Sequence, residues 1–148
     1  DRRLIHLPMA DPYCSHIRQI VVRELRALNY PNRSDGCVVV IQGPRFSTIA
    51  ECMMYAQWGG DIVNMTQYPE CYFARELGMC YSVVATVTDY DVGVPSSISM
   101  EPGAMGRVLE VFRSNTSRTI VLIERLLSIA SEITTCTCAQ VSVGPYYT

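Results

Sequence analysis

Two carboxylates, Asp89 and Asp91, flank Tyr90 directly after the run SVVATVT at 82–88. That run is apolar and β-branched, the composition of a strand covered on both faces. Acids at the end of such a strand have two uses. They turn the chain by accepting hydrogen bonds from nearby backbone N–H groups, or they face a ligand and exchange protons or hydrogen bonds with it. Two more polar stretches follow apolar runs: QGPRFS after 37–41 and NMTQYPE after 61–65. A third kind of reactive group is sulfur. Cys136-Thr137-Cys138 is a C-x-C pair in a polar tail, a pattern that points to redox chemistry or disulfides.

The elements that must position these groups alternate. Ile17, Ile20, Val21, Leu25 and Leu28 recur at helical spacing within 12–29, with Arg18, Arg23 and Arg26 on the other face. Residues 37–41 predict a short buried strand. Thr48 and Glu51 fit a capping box opening a helix that Gly59-Gly60 ends. Residues 61–65 predict a second strand, Pro69-Glu70 opens a second such helix, and Gly78 closes it. Residues 79–87 predict a third strand. A long helix falls within 103–131, with Ser114-Asn115-Thr116-Ser117 the place where an interruption would fall. Strand, helix, strand, helix, strand is an α/β pattern with parallel neighbours. It has no repeat and no internal linker, so it predicts one domain or part of one. In an open α/β sheet ligands sit at the carboxyl ends of the strands. All three polar stretches are at such ends, and that convergence is the first functional signal.

Composition narrows the classes. The chain has 148 residues, 49% of them hydrophobic and 18% charged, which suits a folded core and excludes disorder. A net charge of -2 offers no basic block for nucleic acid. Every one of the 12 basic residues is Arg, whose planar fork suits fixed ion pairs and anion sites. No apolar segment has the length of a membrane span, residues 1–15 lack a signal-peptide layout, and a cytoplasmic location is expected. The opening DRRLIHLPMADPY reads as mid-domain material, as in a fragment or processed chain. The seven cysteines lack a C-x2-C pair or a histidine cluster, so their spacing argues against a zinc site and leaves Cys14, Cys37, Cys52, Cys71 and Cys80 as candidate buried hydrophobes. Three sequons, at Asn32, Asn64 and Asn115, carry little weight without a secretory signal.

Four motifs, HLPMADPYC, IQGPRFSTIAE, GGDIVNMTQYPE and ARELGMCYSVVATVTDYD, resemble in order the trimeric purine nucleoside phosphorylase family, and within it the 5'-methylthioadenosine phosphorylases. The resemblance covers residues 4–130 and corresponds to the C-terminal half of that family's single domain. It implies a mixed or parallel β-sheet flanked by helices, the phosphorylase/hydrolase-like nucleoside phosphorylase fold, present as a partial domain. It implies a pentosyltransferase of purine salvage, with inorganic phosphate as co-substrate and no cofactor or metal. The family's Gly-rich phosphate loop, Arg-His pair and second phosphate-binding Thr, which belong to its first half, do not occur here. The implied partners are a purine nucleoside and phosphate, copies of the chain in a homotrimer or hexamer, and a companion chain or segment carrying the N-terminal half, with neither nucleic acid nor membrane.

By the same resemblance, Phe46 lies against the purine, Met65 under the ribose, and Thr66 bonds phosphate. Thr88, Asp89 and Asp91 line the base, the two acids serving catalysis by hydrogen bonding at N7 and the exocyclic amine. His6 reaches a neighbouring subunit's site near the 5' substituent, and Met105, Val108 and Leu109 form a slot for the methylthio group. Each has a structural counterpart: a hydrophobic staple for Phe46, a helix cap for Thr66, core filling for Met65, Asx turns for the acids and a structural hydrogen bond for His6. Singly the structural roles are the commoner ones. Together, at strand ends and in family order, the binding roles prevail.

Ser47 and Asp89 stand where members cleaving 6-oxopurine nucleosides carry Glu and Asn. A carboxylate opposite the base accepts from an adenine amine, whereas an ionised acid repels a 6-oxo group. The expected reaction is therefore phosphorolysis of methylthioadenosine to adenine and 5-methylthioribose 1-phosphate. The alternatives are a broader or 6-oxopurine-selective phosphorylase, and an inactive nucleoside-binding or structural fragment. A hydrolytic nucleosidase fits less well, since such enzymes place Met-Glu where this chain has Met65-Thr66. The resemblance also bears on sulfur: some archaeal relatives carry a terminal C-x-C and further disulfides, which Cys136 with Cys138, and Cys14 with Cys80, would match.

Overall fold

The computed structural model describes residues 6–92, 103–132 and 136–141. In chain order the elements are α1 (Ser15–Ala27), β1 (Val38–Val40), α2 (Ile49–Gln57), β2 (Ile62–Asn64), α3 (Gln67–Glu76), α4 (Ala104–Ser128), a 3-10 turn (Ala130–Glu132) and a short α5 (Cys138–Val141). They divide into two compact units. One comprises Asp1–Ser34, Thr66–Val83 and Leu126–Thr148; the other comprises Asp35–Met65 and Val84–Arg125. Among the described residues no helix is long and apolar enough to cross a membrane.

In the first unit α1 buries Ile20, Val21 and Glu24, the face that the helical spacing predicts. A buried carboxylate needs a partner, and Glu24 has one in Arg23 at 2.8 Å. Arg23 also reaches Glu132 at 2.9 Å, which ties α1 to the 3-10 turn. The helix starts at Ser15, later than the expected position 12, because Tyr13 is drawn into packing. Its hydroxyl donates to Gln67 Oε1 and its ring stacks on Tyr81 at 6.2 Å. In α3, Tyr68 is extended (φ -105°, ψ 129°), so the continuous helix opens at Pro69 as expected. Cys71 and Ala74 form its buried stripe.

The helix stops share one device. Asn29, Gly59 and Gly78 follow α1, α2 and α3 with φ of 54°, 81° and 66°. The next residue's N–H then donates back to a carbonyl of the last turn: Tyr30 to Leu25, Gly60 to Tyr55 and Met79 to Ala74, all at 2.8–2.9 Å. These bonds satisfy carbonyls that the helix leaves open.

In the second unit β1 and β2 pair in parallel, with Val38, Val39 and Val40 opposite Ile62, Val63 and Asn64. Asp61 N–H to the Cys37 carbonyl (2.8 Å) and Ile41 N–H to the Asn64 carbonyl (2.8 Å) extend the contact at both ends. α2 is the connection that such a pair requires. α4 buries Leu122 at 2% exposure. It runs without the interruption entertained at 114–117, and the hydroxyls of Thr116, Ser117 and Thr119 are satisfied by the carbonyls of Phe112, Arg113 and Asn115 along the helix.

The expected third strand is not formed. Residues 79–87 carry no ladder among the described residues, and Val84 and Val87 are 40% and 60% exposed. A parallel strand needs a paired neighbour and cover on both faces, and this run meets neither condition. Its β-branched composition reports only that it tolerates an extended backbone.

Gly60 tests the packing of the second unit. A Cβ there would lie 2.6 Å from Val39 Cγ2 and 3.0 Å from the Tyr55 carbonyl oxygen. Gly60→Ala should therefore lower stability by about 1–3 kcal/mol, read as a lower urea midpoint with an unchanged slope. An unchanged midpoint would mean that α2 does not press on β1 there.

Candidate functional site

Parallel pairing brings the carboxyl ends of β1 and β2 to one edge. The chain leaving β1 passes Gly43, where an added Cβ would come within 2.7 Å of Met65 Sδ. Met65, leaving β2, therefore lies across Gly43, and a side chain at 43 would make the Met65 thioether shift. Met65 and Phe46 are 52% and 55% exposed. Neither is core filler, and Phe46 is not the staple residue either, since Ser47 directly precedes the helix cap Thr48.

Glu51, in the first turn of α2, fixes this loop. Arg45 grips it with both terminal guanidinium nitrogens, Nη2 at 2.6 Å and Nη1 at 2.9 Å, and Nη1 also donates to the Phe46 carbonyl at 3.1 Å. The capping box is present: Thr48 N–H donates to Glu51 at 2.8 Å and Glu51 N–H to Thr48 Oγ1 at 3.2 Å. Arg45, then the Thr48 N–H and hydroxyl, hold the Glu51 carboxyl down at about 2. Between these residues Ser47 is buried, and its Oγ meets no hydrogen-bond partner among the described residues.

The third loop uses its acids differently. Thr88 Oγ1 donates to Asp89 Oδ1 at 2.7 Å, and both residues are half-buried. Asp91 Oδ1 accepts from Val92 N–H at 2.9 Å, so Asp91 does help to turn the chain. Its Oδ2 is buried without a well-formed hydrogen bond among the described residues. The Cys52 thiol of α2 lies close enough to Asp91 to be pushed up by it, behind the larger effect of its own burial. Asn115 of α4 donates to the Val87 carbonyl at 3.0 Å, anchoring the start of the loop. The sequence offers no signal for Asn115 in this role beyond a polar residue within a helix. Cys52 has none.

Of the remaining candidates, Met105, Val108 and Leu109 share one face of the first turns of α4, by their i, i+3, i+4 spacing. Met105 and Leu109 are exposed and Val108 is half-buried. Thr66 and His6 belong to the first unit and are exposed. Thr66 occupies the N-cap position of α3, yet its side chain makes no capping bond.

The first unit also gathers sulfur. All seven cysteines are free thiols, so the expected Cys14–Cys80 and Cys136–Cys138 disulfides are not formed. Instead the sulfurs of Cys14, Cys80, Cys136 and Cys138 lie within 4.8 Å of one another. The fold thus unites cysteines that are far apart in the chain, a grouping their spacing does not reveal. Cys80 and Cys136 are in closest contact, at 2.9 Å. The Cys80 thiol and the Cys138 N–H hold the Cys136 thiol down at about 7, while hydrogen bonding to Cys136 and burial push Cys80 up.

Fold and site together define an α/β protein that presents its polar chemistry at the carboxyl ends of parallel strands. The family model described as the phosphorylase superfamily matches residues 2–128, and the chain belongs to that superfamily. S-methyl-5'-thioadenosine phosphorylase of Pyrococcus furiosus is 40% identical over 139 residues, which are 94% of this chain and 52% of that protein. The Thermococcus kodakarensis protein of the same name matches at 40% over 139 residues with the same shares. A solved structure of methylthioadenosine phosphorylase from Schistosoma mansoni in complex with adenine superposes with a TM-score of 0.82 at 28% identity, over 96% of this chain and 54% of that one. The chain spans about half the length of the curated relatives it matches.

The Glu51 environment has a pH consequence. A carboxylate held at about 2 in the folded state, against an ordinary 4.5, contributes stability that is present above 4.5 and lost as pH falls through 2. Glu51→Gln should therefore flatten the stability profile between pH 5 and about pH 2, followed by circular dichroism in urea. A variant whose profile retains the full acid slope would show that other carboxylates carry it.

Proposed function

We infer that the protein is a purine nucleoside phosphorylase acting on 5'-methylthioadenosine. The observation that carries this reading is the half-buried Asp89, steadied by the Thr88 hydroxyl. An acid at this position, in a chain 40% identical to enzymes named for that substrate, favours a base with an exocyclic amine.

In the proposed reaction the bond between purine N9 and ribose C1' breaks as a phosphate oxygen bonds to C1'. The electron pair of the broken bond goes to the purine, which takes up at N7 the equivalent of the proton that hydrogen phosphate gives up as it bonds C1'. The products are adenine and 5-methylthioribose 1-phosphate. Asp89 and Asp91 line the base and assist that proton transfer. Phe46 covers the purine face, Met65 lies under the ribose, Thr66 binds phosphate, and Met105, Val108 and Leu109 receive the methylthio group. The oxocarbenium-like sugar is stabilised by the phosphate charge, so positioning and electrostatics dominate. His6 serves a neighbouring copy in a homotrimer or hexamer, phosphate is the only co-substrate, and the enzyme works in the cytoplasm.

Phosphate-dependent release of adenine from methylthioadenosine, compared with hypoxanthine release from inosine, tests the reading. Adenine release should be the faster, and faster inosine cleavage would overturn the substrate assignment. Tighter binding of adenine than of hypoxanthine should hold even if turnover is absent, and equal binding would count against a base site of this kind. Asp89→Asn should reduce kcat/KM for methylthioadenosine by about 10²–10⁴-fold with an unchanged urea midpoint. Normal turnover in that variant would leave Asp89 as a turn residue.

A further inference from the structure

We propose that Asn115 of α4 is a positioning residue that sets the preference for an adenine-type base, acting through the Val87 carbonyl on Asp89. This role rests on the base contact proposed above for Asp89. All the residues involved belong to the second unit.

Between residues 105 and 125 of α4, Val108, Asn115, Thr119 and Leu122 are the ones that are not exposed. Steps of seven, four and three residues put them on one face of the helix. Asn115 is the amide on that stripe, and a polar group so placed needs a partner. It has one in the Val87 carbonyl, to which Nδ2 donates at 3.0 Å. Residues 79–87 carry no ladder among the described residues, so no strand neighbour takes that oxygen. Val108, of the proposed methylthio slot, lies about two turns earlier on the same face. One helix thus references both ends of the nucleoside.

The link from Asn115 to the acid is short. The Val87 carbonyl shares a planar peptide with the Thr88 nitrogen, so holding its oxygen fixes the plane from which Thr88 leaves. The Thr88 hydroxyl in turn donates to Asp89 Oδ1 at 2.7 Å. Beyond it, Val92 N–H donates to Asp91 Oδ1 at 2.9 Å, and the acid-bearing segment is held at both ends. A carbonyl only accepts, so the amide N–H is the part of Asn115 that matters. Val87 is 60% exposed, and water replaces this bond at little cost in stability. Water does not reproduce its direction, because it is not attached to the helix. Displacement of Asp89 costs adenine most, since its exocyclic amine needs an acceptor at a defined point. The 6-oxo group of hypoxanthine has no hydrogen to donate there.

Equilibrium binding of adenine and of hypoxanthine to the full chain, measured by calorimetry, tests the role without requiring turnover. Asn115→Asp keeps the shape and removes the donor. It should weaken adenine binding by about 3–10-fold and leave hypoxanthine binding within about twofold, with a urea midpoint close to that of the wild type. Ser117→Ala, which removes a hydroxyl bonded to the Arg113 carbonyl of its own helix, should leave both affinities unchanged. In phosphorolysis the loss should fall on kcat/KM for methylthioadenosine, with KM for phosphate unchanged. Should Asn115→Asp fail to fold, Asn115→Ala, which removes the donor without adding charge, decides alone. An unaltered adenine-to-hypoxanthine ratio in either folded variant would overturn the positioning role and leave the base site standing. The same loss in Ser117→Ala, or a parallel rise in KM for phosphate, would reduce Asn115 to a helix-packing residue. A wild-type protein without preference for adenine would instead overturn the base contact of Asp89, and the role of Asn115 with it.

Discussion

β1 and β2 lie parallel with matched registers, so both chains leave the ladder on the same side. That direction is what the second unit's chemistry depends on. Were the pairing antiparallel, Met65 and the Gly43 turn would depart from opposite edges and could not touch. With it, the residue after each strand arrives beside the other, and Gly43 admits the Met65 sulfur between them. Three paired positions thus determine where the residues leaving each strand can go. α2 follows from the same constraint, since parallel neighbours need a crossover.

Much of this was legible in the sequence, for reasons that are local. The Thr48–Glu51 box, the Gly59 and Gly78 stops and the Pro69 helix opening all depend on residues within one turn of each other. The apolar spacing of α1 likewise identified Ile20 and Val21 as its buried face. What failed was non-local. The run at 79–87 has a strand's composition, but composition carries no information about whether a neighbouring strand exists to pair with it. The C-x-C motif was visible, while its convergence with Cys14 and Cys80 depends on tertiary contacts of α1 and the segment after α3.

The candidate site divides in the same way. The loops after β1 and β2 were apparent from position alone; Phe46, Met65, Thr88, Asp89 and Asp91 fall in the second unit, although no strand precedes Thr88, and Thr66 falls in the first. The supporting residues were not apparent. Asn115 is one polar residue among many on α4, and its bond to the Val87 carbonyl exists only because the helix runs unbroken past 114–117. Ser47 attracted attention as a small residue in place of a large acid. Its burial emerges only from the folded loop.

Glu51 is used repeatedly: both oxygens for Arg45, one of them again for the N–H and hydroxyl of Thr48. Positions 45, 48 and 51 therefore cannot drift independently through evolution. A change at any one alters what the other two contribute, so effects at the three sites are non-additive. Ser47, which lies between Arg45 and Thr48 in the sequence and is buried, inherits that constraint. Diversification of this loop is thus expected to proceed by coordinated replacement, with intermediates passing through a loosened helix start. The clasp makes the loop after β1 epistatic as a block.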